Sequence, residues 1–490
     1  MDRRYFLKAT SSLTAITFLS GCATNPVTGD QDLVFMSEDE EAEIGRASHK
    51  QLMQSYKQYN NPDLSSYITI IGEKLANISH RKELIYHFTL LDSPQVNAFA
   101  LPGGYIYMTR GMLAYLGSEA ELAGVLGHEL GHVTARHGAR AHAKHQISGV
   151  VSTLLGIFVG DRRVSDLTNL FSLALLRGYG RENELEADRI GAEYMQHIGY
   201  DPNSLLQVIG VLKNQEEFDK KLAKEENREP YAYHGIFSTH PDNDKRLQGI
   251  IKTVKDNKSD KDLGERKLEF LKMISGIPVG PGDGEGSVRG SSFYHNELDF
   301  TLEFPDDWKI ENLPDRIVAT TKDRNTFIQV NMRDLNRKIP PKETLERFYA
   351  SGDKLDDGID ISTQDYKGYA AIVKLDTPFG QSHPCWVCIL YRTEKDAFVL
   401  VATTKKEEDI VKYKKDFIKT FKSLRKLKED ERSLGEPRRI KIHIAKKNDT
   451  FAKYAESSPY ATHAEDRLRV LNNFYPSGEP TEGQLIKLVF

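Results

Sequence analysis

The residues of this sequence best suited to chemistry are His128, Glu129 and His132, which stand in the pattern His-Glu-Leu-Gly-His. On a helix the two histidines lie ~40° and one turn apart, so both imidazoles can converge on one tetrahedral zinc ion. Glu129 lies ~100° around the helix from His128 and can reach a zinc-bound water without being a ligand. Zinc lowers the pKa of such a water toward ~7, and Glu129 takes its proton as the water attacks a carbonyl. The spacing therefore predicts a zinc hydrolase site with Glu129 as general base.

A helix must position these residues, and the surrounding sequence predicts one. Ser118 and Glu121, three residues apart, form a capping box, and Gly138 is the predicted end of the helix. The apolar positions between them predict that the helix is buried; they are Leu122, Ala123, Val125, Leu126, Leu130 and Val133. Two histidines and a glutamate inside a buried helix are costly unless a metal compensates them. This cost weighs against the alternative, a chance match in a surface helix.

A third histidine is one candidate for the remaining metal ligand. One kind of zinc site adds it six residues after the second histidine, with a glycine midway. Here position 138 is glycine and position 135 is alanine, so that pattern fails. His137 is one residue short and lies about opposite His128 on a continuing helix, so it is expected to be a surface or capping histidine.

A downstream glutamate is the other candidate. Glu184 and Asp188 are four residues apart and share one helix face. Glu184 is therefore predicted to bind zinc, and Asp188 to hydrogen-bond a ligand histidine. Glu182 and Glu186 project elsewhere and are expected in solvent. An ordinary charged helix face is the alternative.

Together these residues resemble a known family. The His-Glu-x-x-His pattern followed by Glu184 and Asp188 is similar to the HtpX/BepA-like zinc metallopeptidases, gluzincins that include the CAAX prenyl protease. The resemblance spans roughly residues 22–255 and includes three further stretches, Asn25–Gly29, Asn97–Gly104 and Ser238–Pro241. Some family members have membrane-spanning helices, but no apolar run after the N-terminus approaches the ~20 residues that a span needs. The sequence thus resembles the periplasmic lipoprotein branch.

The resemblance implies roles for residues outside the two helices. Asn97–Met108 would be the edge strand beside the cleft, to which a substrate backbone adds as an extra strand. His240 would lie near the metal, where it either steadies the oxyanion or occupies the fourth zinc position and keeps the enzyme latent. Arg246 would pair with Asp188 or with a substrate carboxylate. The alternative for His240 and Arg246 is a packed helix start.

The N-terminus is typical of an export signal. Arg3 and Arg4 precede Phe-Leu-Lys, which resembles a twin-arginine signal, and Ala9–Phe18 is apolar but too short to span a bilayer. Small residues before Cys22 resemble a lipoprotein signal, so residues 1–21 are predicted to be removed and Cys22 to carry a lipid anchor. Because alanine follows Cys22, the resemblance favours the periplasmic face of the outer membrane. A plain secretory signal is the alternative.

Composition divides the chain into a mainly helical part, an α+β part and a small last part, which predicts an α+β multidomain fold. The predicted order is 1–21 signal peptide, 22–275 zincin-type peptidase domain with a small sheet, 276–291 linker, 292–425 α+β domain of unknown role, 426–439 charged linker and 440–490 a LysM-like module. The glycines and prolines of 276–291 predict flexibility.

The C-terminal half offers one motif and one further resemblance. Cys385 and Cys388 form a CxxC in a strand-like run, where alternation points the two sulfurs to opposite faces. Buried cysteines are therefore expected, not a redox pair. Residues 440–490 have a β-α-α-β pattern that resembles a LysM module, a kind that binds the N-acetylglucosamine glycan of peptidoglycan. A small module without a ligand is the alternative.

The overall composition limits the function further. A net charge of −4 gives no excess of positive charge for a nucleic-acid partner, and three cysteines are too few for a disulfide scaffold. The leading hypothesis is a cell-envelope endopeptidase with one zinc ion per chain, whose substrates are misfolded or unassembled envelope proteins. The alternatives are a chaperone or assembly factor for outer-membrane proteins with secondary proteolysis, and a zinc hydrolase of peptidoglycan cross-links.

Overall fold

In the computed structural model, helices and a small sheet surround one core, and a larger antiparallel sheet follows. The structure describes residues 22–29, 31–34, 36–147, 179–226, 228–230, 248–249, 251–252, 263–313, 315–337, 339–350 and 355–490. Within these ranges, no helix has the length and apolar character needed to cross a bilayer.

The described helices and strands follow in chain order. The helices are α1 Glu38–Ser55, α2 Pro62–Ala76, α3 Arg110–Tyr115, α4 Glu119–Thr134, α5 His137–Ile147, α6 Arg181–Ile198, α7 Ser204–Glu225, α8 Lys267–Ile274, α9 Pro341–Tyr349, α10 Lys414–Ser423, α11 Arg432–Gly435, α12 Phe451–Ala455 and α13 Ala464–Leu471. The strands are β1 Cys22–Thr24, β2 Gln31–Leu33, β3 His87–Leu91, β4 Ala98–Leu101, β5 Tyr105–Thr109, β6 Ser287–Arg289, β7 Ser292–His295, β8 Phe300–Glu303, β9 Lys309–Asn312, β10 Ile317–Thr320, β11 Thr326–Asp334, β12 Asp356–Ser362, β13 Lys367–Thr377, β14 Gly380–Tyr391, β15 Asp396–Thr404, β16 Ile440–Ile444 and β17 Leu485–Val489.

Helix α4 lies at the centre of the first core. The Ser118 side chain accepts a hydrogen bond from the backbone N–H of Glu121 at 3.1 Å, as the capping box predicts. The Glu121 carboxylate accepts from the N–H of Gly117 at 2.7 Å, one residue before the cap. All 16 residues of the helix are buried, and α2, α6, α7 and α8 pack around it. These neighbours on several sides fix the direction in which its histidines point.

The small sheet flanks α4 and corrects the predicted edge element. Its strand order is β3-β5-β4, with β5 parallel to β3 and antiparallel to β4. Of the stretch Asn97–Met108, only β4 therefore lies at an edge, whereas β5 is the central strand. Gly103 and Gly104, at φ 76° and 89°, make the turn between them, a left-handed conformation that glycine adopts without steric cost.

The larger sheet contains seven antiparallel strands in the order β12-β13-β14-β15-β11-β10-β9. Side chains of α9 pack on one face and side chains of α10 on the other. Cys385 of β14 lies in the cluster with α9, and Cys388 in the cluster with α10. Both are buried free thiols, and burial raises the pKa of Cys385 to about 11. The prediction of opposite faces is confirmed, and the geometry does not suit a redox pair.

Residues 276–291, which were predicted as a flexible linker, pack against the core around α4. Two of their apolar side chains lie in the core around α4, and β6 belongs to the segment. The buried guanidinium of Arg110 donates to Asp92 Oδ1 at 2.7 Å and to the carbonyls of Pro278 and Gly280 at 2.7 and 3.1 Å. A glycine-rich composition predicts flexibility only where nothing binds the backbone, and here a buried cation elsewhere in the chain binds it.

Residues 440–490 have the predicted β-α-α-β order, with β16 antiparallel to β17. Their apolar side chains belong to the same core as α4. The Nζ of Lys487 is buried and donates to the carbonyls of Ala114 and Leu116, each 2.8 Å away, just before α4 begins. Burial lowers the pKa of Lys487 to about 7. The last strand therefore supports the start of the helix that carries the histidines, while the LysM resemblance stays a prediction.

Replacing Arg110 with methionine should detach the 276–291 segment from the core. The substitution removes three hydrogen bonds and leaves Asp92 without its cationic partner, which should lower the free energy of unfolding by about 3 kcal/mol. Thermal unfolding measures the loss, and limited proteolysis should cut within 276–291 faster than in the unmutated chain.

The matched control for this test is Arg316→Met. Arg316 is 43% exposed in its side chain and pairs with Asp315, which is 71% exposed. Exposed pairs contribute little, so the stability should change by less than about 0.5 kcal/mol. Equal effects of the two substitutions would contradict the role assigned to Arg110.

Candidate metal centre

Helices α4 and α6 bring the three predicted metal ligands together. His128 and His132 lie one turn apart on α4, and Glu184 lies in the first turn of α6. One ligand atom from each residue lies within 4.8 Å of the other two. All three residues are buried. The structure thus forms, from two helices, the His-His-Glu set that the spacing predicted.

The dimensions of this cluster fit zinc. The Nε2 atoms of His128 and His132 are 3.0 Å apart, and Glu184 Oε2 lies 3.4 Å from the first and 3.7 Å from the second. Tetrahedral ligands with bonds of about 2.0–2.1 Å are separated by about 3.3 Å, so the triangle has suitable edges. Glu184 Oε2 is buried and has no hydrogen-bond partner among the described residues. A metal ion would satisfy that oxygen.

Glycines allow the two helices to approach this closely. A Cβ added to Gly131 would lie 2.9 Å from the Cα and carbonyl oxygen of Ala187. A Cβ added to Gly191 would lie 2.9 Å from the backbone nitrogen of His128. No side chain fits at such distances without moving a backbone. The short reach of the α6 carboxylates to α4 therefore depends on glycine at both positions.

Asp188 lies one turn after Glu184 and orients the first histidine. Its Oδ1 is 2.8 Å from His128 Nδ1, so the Nδ1 proton is donated there and the Nε2 lone pair points into the cluster. Burial opposes a charged His128, but the hydrogen bond to Asp188 and the negative charges of Asp188 and Glu184 outweigh it and raise its pKa to about 10. The two carboxylates thus favour positive charge at this point, which a divalent cation supplies.

Glu129 is buried beside the cluster but is not part of its ligand set. Burial raises the pKa of its carboxyl, and His132 and His128 partly oppose that rise. For Glu184 the balance is reversed, since the attraction of His132 and His128 overcomes burial and lowers the pKa. Environments that push two carboxyl pKa values apart separate an anionic ligand from a group that exchanges protons.

The backbone turns sharply after α4, which the sequence did not reveal. Helix α4 ends before Ala135, and Arg136 adopts a left-handed conformation at φ 55°. Helix α5 then begins at His137, so Gly138 lies inside a new helix and does not end the old one. The prediction that α4 continues to Gly138 is wrong, and with it the direction assigned to His137.

His137 and Glu186 belong to the site, contrary to expectation. His137 is fully buried, and its Nδ1 lies 2.8 Å from His132 Nδ1. Its Nε2 lies 3.1 Å from Glu186 Oε2, whose side chain is only 16% exposed. Burial lowers the pKa of His137 to about 4. Burial opposes ionisation of Glu186, but hydrogen bonds with His137 and Arg140 outweigh it and lower the pKa to about 2.

Tyr179 also contacts the site, although no spacing rule indicated it. Its ring centroid lies 4.6 Å from that of His132. Its backbone N–H donates to Glu184 Oε1 at 3.1 Å. That hydrogen bond satisfies one carboxylate oxygen of Glu184 and leaves the other for the cluster.

The outer strand β4 lies next to the metal ligands. A small pocket between them is lined by the last two residues of β4, Ala100 and Leu101, by Pro102, and by His132 and Tyr179. An extended backbone bound along β4 would therefore pass beside His132.

Several predicted residues lie outside the ranges that the structure describes. His240 and Arg246 fall outside the described residues, so their roles stay predictions. Cys22 begins β1, which pairs with β2 in a short antiparallel hairpin. The signal of residues 1–21 is also outside the described ranges.

Residues 62–254 match Peptidase family M48. The segment contains both helices of the cluster, and the resemblance to the HtpX/BepA-like zinc metallopeptidases is confirmed for it. Zinc is the metal of that family.

Three curated relatives illustrate the extent of the match. The beta-barrel assembly-enhancing protease of Escherichia coli (strain K12) is 30% identical over 244 residues, 48% of this chain and 47% of that one. The mitochondrial metalloendopeptidase OMA1 of Arabidopsis thaliana is 38% identical over 128 residues, 26% of each chain. That of Schizosaccharomyces pombe is 27% identical over 231 residues, 46% of this chain and 64% of its own. The match to the E. coli protein thus spans about half of that chain's length.

Among solved structures, the cyanobacterial PsbP of Synechocystis sp. PCC 6803 aligns with 28% of this chain and 91% of its own. The identity is 11% and the TM-score 0.23, which is too low to establish a common fold.

The substitution Gly131→Ala should open the metal centre. Its Cβ would meet the backbone of Ala187 at 2.9 Å, so α4 and α6 must separate, at a cost of about 1–3 kcal/mol. Zinc affinity should fall as well, because Glu184 is displaced from the histidines. Thermal unfolding and zinc titration of the purified chain measure the two effects.

Gly210→Ala in α7 is the matched control, since its Cβ would meet only the Asn473 side chain, at 3.4 Å. Alanine is the better helix former, so stability should stay equal or rise by up to about 1 kcal/mol. If the Gly131→Ala chain matched the Gly210→Ala chain in stability and in zinc affinity, the role assigned to Gly131 in the close helix approach would be refuted.

Proposed function

We propose that this chain, whose residues 62–254 match Peptidase family M48, is a zinc metalloendopeptidase of the cell envelope that cleaves misfolded or unassembled envelope proteins. The observation that carries the proposal is the buried triangle of His128, His132 and Glu184, sized for zinc, with Glu129 beside it. The family match covers all four residues.

The chemistry divides among these residues. Zinc, when bound by His128, His132 and Glu184, polarises the scissile carbonyl and activates water for attack. Glu129 accepts the proton of the attacking water and later gives it to the leaving amine. Burial raises the pKa of Glu129, which is the direction expected for a carboxyl that accepts a proton and later returns it. Asp188 holds the Nδ1 proton of His128 and keeps Nε2 free for the metal.

Substrate would bind as an added strand along β4. Main-chain hydrogen bonds give such binding with little sequence preference, which suits a protease of unfolded chains. His240, near the metal by family resemblance, would steady the oxyanion or occupy the fourth zinc position at rest, and Arg246 would pair with Asp188 or a substrate carboxylate.

The envelope location rests on the N-terminal sequence. The twin-arginine pattern, the short apolar stretch and the small residues before Cys22 agree with export, removal of residues 1–21 and a lipid anchor at Cys22. The alanine after Cys22 favours the periplasmic face of the outer membrane. The E. coli relative is named a beta-barrel assembly-enhancing protease, a name that assigns that relative to β-barrel assembly.

That name also supports a second candidate function, an assembly factor for outer-membrane proteins in which proteolysis is secondary. The larger sheet and residues 440–490 would then bind partners. A Glu129→Gln chain that restores envelope integrity in cells lacking this protein would favour the second function over the first.

The substitution Glu129→Gln should abolish proteolysis without releasing zinc. An amide cannot accept the proton of water, so casein cleavage should fall roughly 100- to 10,000-fold. The ligand triangle is unchanged, so each chain should still bind one zinc ion. Cleavage of unfolded casein by the purified chain, with zinc content measured in parallel, provides both readings.

The control is Glu182→Gln, an exposed glutamate in the first turn of α6, which should leave zinc content and cleavage unchanged. If Glu129→Gln cleaves as fast as the unmutated chain, Glu129 is not the base. If the unmutated chain binds no zinc, the metal centre itself is refuted.

The resemblance of residues 440–490 to LysM gives a separate prediction. The intact chain should sediment with purified peptidoglycan, and N-acetylglucosamine oligomers should release it. Deleting the module is unsuitable because Lys487 supports the start of α4. A chain that stays in the supernatant refutes glycan binding, and release of muropeptides would instead support a peptidoglycan hydrolase.

A further inference from the structure

The two histidines of the cluster are oriented by different partners. Asp188 Oδ1 accepts a hydrogen bond directly from His128 Nδ1, with 2.8 Å between the atoms. His132 Nδ1 instead faces another imidazole nitrogen, Nδ1 of His137, also at 2.8 Å. His137 is fully buried, so water cannot replace this contact.

The hydrogen bonds along this contact allow one arrangement when His132 binds a metal. A histidine that offers Nε2 to a metal carries its proton on Nδ1. His132 must then donate to His137, whose Nδ1 accepts and whose own proton lies on Nε2. That Nε2 is 3.1 Å from Glu186 Oε2, which accepts the second hydrogen bond. The Nδ1–H of His132 and the Nε2–H of His137 therefore both point away from the metal position, and the second of them reaches the Glu186 carboxylate.

The contacts continue from Glu186 to the N-terminal hairpin. Glu186 Oε2 also accepts from Arg140 Nη1 at 2.7 Å, and Arg140 Nε lies 3.2 Å from Asp32 Oδ2 in β2. Asp32 Oδ2 accepts in turn from Asn25 Nδ2 at 2.9 Å. Asn25 begins the stretch Asn25–Gly29, which resembles the family but takes no part in the proposed reaction.

We propose that His137 and Glu186 are positioning residues that hold His132 in the orientation and tautomer needed to bind zinc. Arg140 and Asp32 contact Glu186 on the side away from His137 and connect it to the hairpin that begins at Cys22, the predicted lipidation site. The inference rests on the proposed zinc metallopeptidase function and adds residues to its metal centre. The competing interpretation is that His137 only fills space.

Three substitutions of His137 separate these interpretations. Asparagine places an acceptor near the Nδ1 position and keeps the contact with His132. Glutamine places a donor near the Nε2 position and keeps the contact with Glu186. Leucine keeps neither contact but has a volume similar to that of histidine. A packing role therefore ranks leucine as the mildest change, whereas a positioning role ranks asparagine as the mildest.

Two measurements are made on each purified variant. The first is zinc affinity, by competition with a chromophoric chelator, and the second is the visible spectrum of the cobalt(II)-substituted chain. We expect His137→Leu and His137→Gln to weaken zinc binding about 10- to 100-fold and to shift the cobalt spectrum, as the loss of a partner behind a ligand does. We expect His137→Asn to stay close to the unmutated chain in both.

A second variant tests the next link and has a matched control. Glu186→Leu should weaken zinc binding less than His137→Leu, and Asp32→Asn less again, because each lies further from His132. Glu182→Leu, an exposed position in the same helix, should change neither reading. Far-UV circular dichroism identifies any variant that fails to fold, and Glu186→Leu then decides the question.

The proposal is overturned if all three His137 variants bind zinc as tightly as the unmutated chain with unchanged cobalt spectra. It is also overturned if His137→Asn is as weak as His137→Leu, or if Glu186→Leu equals Glu182→Leu. Failure of the proposed function is a separate result, since the unmutated chain would then bind no zinc or cleave no casein.

Discussion

The close approach of α4 and α6 is the constraint on which the rest of the site depends. Two imidazoles and two carboxylates share one buried space only because glycine at positions 131 and 191 lets the helix backbones nearly touch. Polar groups buried in this way are costly unless every donor and acceptor has a partner. Asp188 and His137 contact the Nδ1 atoms of the two ligand histidines, and the N–H of Tyr179 donates to Glu184 Oε1. Glu184 Oε2 has no hydrogen-bond partner among the described residues, and a cation bound by both Nε2 atoms would satisfy it.

The same helix depends on distant parts of the chain. Lys487 of the last strand binds the carbonyls just before α4, and Arg110 of α3 binds the carbonyls of 276–291. Both side chains are buried, and each donates hydrogen bonds to backbone carbonyls in place of water. Residues that composition separates into a linker and a C-terminal module thus share the core around α4.

The positions that could be predicted from the sequence are those that depend on local periodicity. His128, His132, Glu184 and Asp188 follow from helical periodicity within each helix, and the opposite faces of Cys385 and Cys388 follow from strand alternation. These rules need only a regular backbone.

Positions could not be predicted where the backbone departs from a regular helix or strand, or where contacts join segments that are distant in the sequence. The turn at Arg136 moves His137 from its expected outward direction into the site, and no periodicity encodes a left-handed residue. Glu186 was expected in solvent because its partner His137 was misplaced. Likewise, a glycine-rich segment looks flexible until Arg110 is known to bind it.

The supports of the metal centre come from both ends of the described chain. Contacts that reach His132 begin at Asn25 in the N-terminal hairpin, and those that reach the start of α4 come from Lys487 in β17. Each support exists only after its own end of the chain has folded against the helices of the site. A ligand set that is complete only in the finished fold couples metal uptake to folding. The predicted twin-arginine signal agrees with this order, because such an export route suits a protein that folds and takes up its metal before it leaves the cytoplasm.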